Sequence, residues 1–185
     1  MAWLEQSDEP LTLGSVIDGI NWGFETNPLS IVLSNPCDIE NEKASFILFG
    51  ALLPAYSILT SSLDYTNLTN NWSKSDVLTN SKIRKISAYF EKYIHNKDIS
   101  RYFFIDPSPV LIAPFFFVDF QLLLSEPEEI KNKVMVLAKL PSPHREKMIF
   151  HFSSYISRVG VERFNNERTG EIIEELSYPF QFPTT

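Results

Sequence analysis

Prolines stop the longest apolar runs of this chain before any of them can grow into a long buried helix. Residues 29–33 are followed by Asn35-Pro36, residues 44–53 end at Pro54, and the run from Val110 to Phe120 is framed by Pro109 and interrupted by Pro114. A proline ring fixes φ near about −65° and offers no N–H, so a strand or helix ends or bends where it stands. The longest run, residues 46–55, is far below the roughly 20 residues that cross a bilayer. Apolar segments of this length, bounded by turn residues, read as buried strands. Residues 1–10 are mostly polar and acidic and lack the basic start and apolar centre of a signal peptide. These features predict a soluble, cytoplasmic protein with no membrane association.

A chain of this length suits one domain that buries about 70% of its unfolded surface, so it needs no metal or disulfide to fold. Fifteen Phe and seven Tyr among 185 residues predict a core built from large rings. The single cysteine, Cys37, excludes an internal disulfide framework and suits a reducing compartment. A formal charge of −7 argues against a nucleic-acid partner, since neutralising phosphates supplies most non-specific affinity. Two local groups of cations, one at Lys82, Arg84, Lys85 and Lys92 and one at Arg158, Arg163 and Arg168, read as solvated helix faces.

Periodicity predicts an α+β fold: a small, mostly antiparallel N-terminal barrel or sheet covered by C-terminal helices. Strand and helix do not alternate regularly enough for a doubly wound parallel sheet. One domain is expected over 1–185. Strands are expected at 11–20, 29–33 and 44–53, within a barrel-like part covering 11–55, and residues 56–63 read as helix or strand. Residues 60–81 are dense in Ser, Thr, Asn and Asp and read as an exposed loop. Mixed strands and covering helices are expected over 82–176. There, Ile83, Ile86, Phe90, Tyr93 and Ile94 mark the apolar face of a helix capped by Asn80 or Ser81 and ended by Asn96. Strands follow at 102–105 and 115–120. Ser125-Glu126-Pro127-Glu128 has the pattern of a capping box that opens a short helix. The longest helix is expected at 143–158, with Gly160 past its end, and a further one over 161–176. The irregular tail, 177–185, offers Tyr178, Phe180 and Phe182 for docking.

Residues that could carry chemistry centre on Ser34-Asn35-Pro36-Cys37-Asp38, where a buried strand ends beside the cysteine. A thiol acts as a nucleophile in its thiolate form, which a nearby His favours and the adjacent Asp38 disfavours. On the long helix, His144 and His151 lie two turns apart, about 10 Å along the axis, with Tyr155 and Arg158 continuing the stripe. That is too far to share one tetrahedral ion, so neither a metal nor another cofactor is expected. Cys37, Asp38, His144 and His151 are the catalytic candidates. Their structural alternative has Cys37 filling an apolar gap, Asp38 capping a turn and each histidine hydrogen-bonded at the core edge. Asp119 lies in an aromatic strand, where an unpaired carboxylate is expensive to bury. Its expected partner is Arg145, Arg158 or Arg163, in a bridge between sheet and helix. Asp119, Arg145, Arg158 and Tyr155 are the binding candidates. No Ser/His/Asp elbow, glycine-rich phosphate loop or Cys-x-x-Cys occurs in the sequence.

Gly14-Ser15-Val16-Ile17, then Leu29-Ser-Ile-Val-Leu-Ser34, then Cys37-Asp38-Ile39, resembles the opening of the small SH3-like barrel of the PemK/MazF growth-inhibitor toxins. The resemblance covers about residues 11–55. Asn27-Pro28-Leu29 stands where that family has Arg-Pro-Val, so its catalytic arginine is missing. A second outline is similar to uncharacterised bacterial proteins with an apolar strand followed by Ser-x-x-Cys-Asp. It is carried by Phe117-Val118-Asp119-Phe120, Leu140-Pro-Ser-Pro-His-Arg145 and Ser157-Arg158-Val159-Gly160. This second resemblance implies that Cys37, Asp38, Asp119, Arg145 and Arg158 belong to one constellation, and it implies no function. With no catalytic signature, an acidic charge and an aromatic tail, the chain reads first as a non-enzymatic interaction or accessory protein of a bacterial multi-gene system, with a protein partner. The alternatives are a Cys–His hydrolase using Cys37 and a degenerate toxin-like nucleic-acid-binding barrel.

Overall fold

The computed structural model describes residues 3–7, 9–41, 43–72, 79–96, 101–107, 109–111 and 115–157. In chain order they build β1 (Glu5–Gln6), β2 (Ser15–Asp18), β3 (Ser30–Val32), α1 (Pro36–Glu40), β4 (Phe46–Pro54), α2 (Ala55–Ser61), α3 (Leu63–Thr69) and α4 (Asn80–Ile94). There follow β5 (Tyr102–Ile105), β6 (Phe116–Pro127), a 3-10 turn (Glu128–Asn132), β7 (Met135–Lys139) and α5 (His144–Ile156). The strands form one curled, antiparallel half-barrel in the order β1-β7-β2-β3-β4-β6-β5.

The curl shows where the two edges meet. Trp3, just ahead of β1, packs against Phe103 of β5 with ring centroids 6.3 Å apart, and edge-on against Phe104 at 5.9 Å. Strand alternation then sorts the core into two sides. Val16, Ile31, Leu52, Phe103 and Val118 face inward, together with Leu140, Met148 and Phe152. Ile17, Val32, Ile47 and Phe49 face outward and are covered by Ile39 of α1. Phe104 and Phe117 also face outward, under Ala55 and Leu59 of α2 and Tyr89 of α4. Each large apolar side chain fully buried in this way stabilises the fold by about 1.5–3 kcal/mol.

Two backbone devices let β4 and β6 run together. A Cβ on Gly50 would lie 2.9 Å from Val118 Cγ1, so glycine is what allows the two strands this close. The register then jumps from Gly50↔Leu123 to Ala51↔Asp119, which leaves residues 120–122 looped out of the ladder as an extended bulge.

The α+β architecture read from the sequence is the one present: an antiparallel sheet with helices packed on it. The expected strands at 102–105 and 115–120 are present as β5 and the start of β6, but the barrel-like sheet is not confined to residues 11–55. β5, β6 and β7 complete the sheet, and β7 is inserted between β1 and β2. Residues 63–69, read as loop, form α3, because Ser62 caps it by accepting the Tyr65 N–H at 3.0 Å. Thr79, rather than Asn80 or Ser81, caps α4. The residue that α4 buries is Tyr89, while Ile83 and Ile94 stay exposed. Ser125 opens no helix, since pairing with β4 continues through Phe46↔Pro127 and overrides the local capping pattern. The expected helix at 161–176, the tail at 177–185 and Arg158, Arg163 and Arg168 lie outside the described residues.

Candidate functional site

The cysteine corner is built by its own local sequence. Ser34 Oγ accepts the Leu48 N–H at 2.8 Å, continuing the β3–β4 contact past the end of β3. Asn35 then caps α1 by accepting the Cys37 N–H at 3.0 Å, and Pro36 supplies the first helical φ. Cys37 is exposed, so it fills no apolar gap. Asp38 is exposed too, and its carbonyl accepts the N–H groups of Lys43 and Ala44 to close the turn. Ile39 alone anchors α1, and it does so on the outer side of the sheet.

The histidines lie on the other side. Met148 and Phe152 seat α5 in the inward cluster. His144 stacks on Trp3 with centroids 4.4 Å apart and planes 17° apart, and His151 meets Phe103 edge-on at 5.4 Å. Burial pushes both imidazole pKa values down, and Lys147 on the same helix pushes them further. His151 is almost fully buried, and its Nδ1 has no hydrogen-bond partner among the described residues, contrary to the expected hydrogen-bonded histidine. Cys37 and the two histidines thus face opposite sides of one sheet, and the structure does not bring them together.

The expected ion pairs also differ from those observed. Arg145 bonds its neighbour Glu146 at 2.8 Å and holds that carboxyl below its usual range. Its stem lies over Gly14, where a Cβ would come within 3.2 Å of Arg145 Cγ. It therefore serves neither Asp38 nor Asp119. Asp119 is 1% exposed and takes both its bonds to a guanidinium from Arg101, at 2.6 and 2.5 Å. It also accepts the Gln121 N–H at 3.0 Å, which turns the chain into the bulge. The bridge joins strand to strand, because Tyr102 and Asp119 are ladder partners and Arg101 immediately precedes that pair. Gln121 donates to the Tyr155 hydroxyl, which ties the bulge to the end of α5. Of the binding candidates, Asp119 and Tyr155 flank this bulge, Arg145 does not, and Arg158 lies outside the described residues.

One apolar recess among the described residues is not legible in the sequence. Pro54 ends β4 and starts α2, whose first N–H, on Ala55, bonds the Phe115 carbonyl at 2.8 Å. Between α2, α4 and the adjoining ends of β5 and β6 lies a groove of about 510 Å³. Trp3, Leu59, Phe90, Phe104 and Phe115 wall it, Tyr56 stands at its mouth, and His95 and Asp106 supply the polar groups. Among the described lining residues Asp106 is the only carboxylate, and there is no Lys or Arg. The available sequence signal was the Phe90/Ile94 pair on one helix face. The other walls come from distant segments that only the fold assembles. Comparison with protein-family models, curated proteins and solved structures finds no match to this chain.

Proposed function

We propose that the chain is a non-enzymatic interaction protein, an accessory component of a bacterial multi-gene system, and that the groove between α2 and α4 receives a segment of a partner protein. The observation that carries this reading is the exposure of Tyr56 and Phe115, 77% and 54%, at the mouth of an aromatic-walled recess. Contiguous exposed apolar surface on a soluble chain marks interaction sites. The separation of Cys37 from His144 and His151 supports binding over Cys–His hydrolysis.

Photo-crosslinking tests the proposal. A benzophenone amino acid placed at position 56 or 115 in the native host should capture the same partner. Placed at Phe24, which is exposed but does not line the groove, it should not. Capture at 56 and 115 no stronger than at 24 would overturn the reading.

A further inference from the structure

We infer that α5 is an acid-sensitive clasp on this groove: protonation of His151 displaces the helix, releases its hold on two groove residues and so weakens partner binding. The inference rests on the groove being the docking site proposed above. His144, Lys147 and His151 lie at i, i+3 and i+7, on one face of α5, so a shift of the helix moves all three together. Two of them hold groove residues. His144 stacks on Trp3 with centroids 4.4 Å apart, and Lys147 Nζ donates to the His95 carbonyl at 2.9 Å. The third reaches the same wall through one ring, since His151 meets Phe103 edge-on and Phe103 packs against Trp3. Trp3 in turn stands edge-on to Phe104, another residue of the groove.

The setting of His151 favours a neutral ring. It is 3% exposed, and its Nδ1 has no hydrogen-bond partner among the described residues. Protonation makes both ring nitrogens donors, so Nδ1 would carry a buried N–H with no acceptor on a charged ring. The surrounding groups do not offset that cost. Lys147 repels an imidazolium, and Phe103, the contact from β5, carries no charge. Of the carboxylates on adjoining elements, Asp119 of β6 is bonded to Arg101 and Glu146 of α5 to Arg145. The Tyr155 hydroxyl takes its hydrogen bond from Gln121. Burial first and Lys147 second push the imidazole pKa below its ordinary value, so acid favours the state in which the ring meets water. A proton thus binds the displaced helix more tightly and the partner binds the docked one, which couples the two.

Two measurements on the full chain test the clasp. With the benzophenone amino acid at position 56, capture in a native-host extract should be about fivefold weaker at pH 5.0 than at pH 7.5. His151→Leu, which puts a neutral apolar side chain there, should retain most of its capture at pH 5.0. Amide hydrogen exchange, corrected for the intrinsic effect of pH, should show residues 144–156 and 3–7 losing protection together at pH 5.0, and not in the variant. Equal capture at the two pH values, or an equal loss in the variant, overturns the clasp and leaves the groove reading standing, because capture at pH 7.5 is intact. Loss of protection in α5 with undiminished capture overturns the coupling likewise. No capture at position 56 even at pH 7.5 overturns the groove reading, and the clasp falls with it.

Discussion

The side-chain amide of Asn96 makes both of the hydrogen bonds that a further strand would make to Phe104. Its Nδ2 donates to the Phe104 carbonyl at 2.9 Å, and its Oδ1 accepts the Phe104 N–H at 2.7 Å. Asn96 is 3% exposed and sits at φ 46°, a left-handed conformation that ends α4. One side chain thus ties α4 to β5 and blocks part of an open sheet edge.

Two substitutions separate these roles. Asn96→Gly keeps the left-handed backbone and loses the amide, so it should cost about 2–3 kcal/mol for two hydrogen bonds and the unsatisfied groups left on Phe104. Asn96→Ala loses both, adding about 1 kcal/mol for the positive φ. Urea denaturation measures the difference, and equal losses would show that the backbone conformation contributes nothing.

Removing Arg101 leaves Asp119 buried with its charge unpaired. Arg101→Met should destabilise the fold by about 3 kcal/mol, at the low end for a broken buried pair because the Arg101 side chain is 42% exposed. Adding Asp119→Asn should restore part of that loss. A double-mutant cycle by chemical denaturation checks the coupling, and simple additivity would dissolve the pair as a unit.

Acid should loosen α5. Both His144 and His151 have folded-state pKa values below the ordinary value of about 6.5, first through burial and then through Lys147. The fold therefore favours neutral rings. The stability they confer is complete above about pH 6.5 and declines as pH falls toward the lowered values. Unfolding free energy measured from pH 8 to pH 5 should fall over the acid half of that range. His151→Leu should flatten the decline, and an unchanged slope in that variant would assign the acid sensitivity elsewhere.

Cys37 should react with iodoacetamide in the native state, because it is exposed on the second residue of α1. The modified chain should keep its melting temperature and its groove binding. Loss of crosslinking capture at positions 56 and 115 on alkylation would link the corner to the groove and revive a functional role for the thiol.

How far the sequence led depended on the distance over which each feature was decided. The punctuation by Pro36 and Pro54 is local, and the ends of β3 and β4 fall where those residues place them. The helix from Asn80 was visible in its period, yet its buried residue, Tyr89, depends on which face meets Phe117, a contact set by another segment. Ser125 carried the local pattern of a cap, but its partner Leu48 comes from β4, and the ladder prevailed. Asp119 was legible as a carboxylate in need of a cation. Its partner was not, because Arg101 becomes a neighbour only through the Tyr102↔Asp119 register. The sequence offers Cys37 and the histidines as partners because it does not show the face each occupies, and face is a property of the finished sheet.

The insertion of β7 between β1 and β2 has a consequence for the order of assembly. Ser15 and Glu5 both find their ladder partner in Lys139, so β1 gains its one neighbour, and β2 its second, only after that residue is made. At roughly 5–20 residues per second, a ribosome takes several seconds to tens of seconds to make the intervening chain. Until then β2 has only β3 beside it and its outer edge is open. Pairing across so much sequence is also slow in itself. The nascent half-barrel is therefore expected to need shielding until β7 emerges, and truncations ahead of Met135 should yield a chain that aggregates rather than a smaller folded unit.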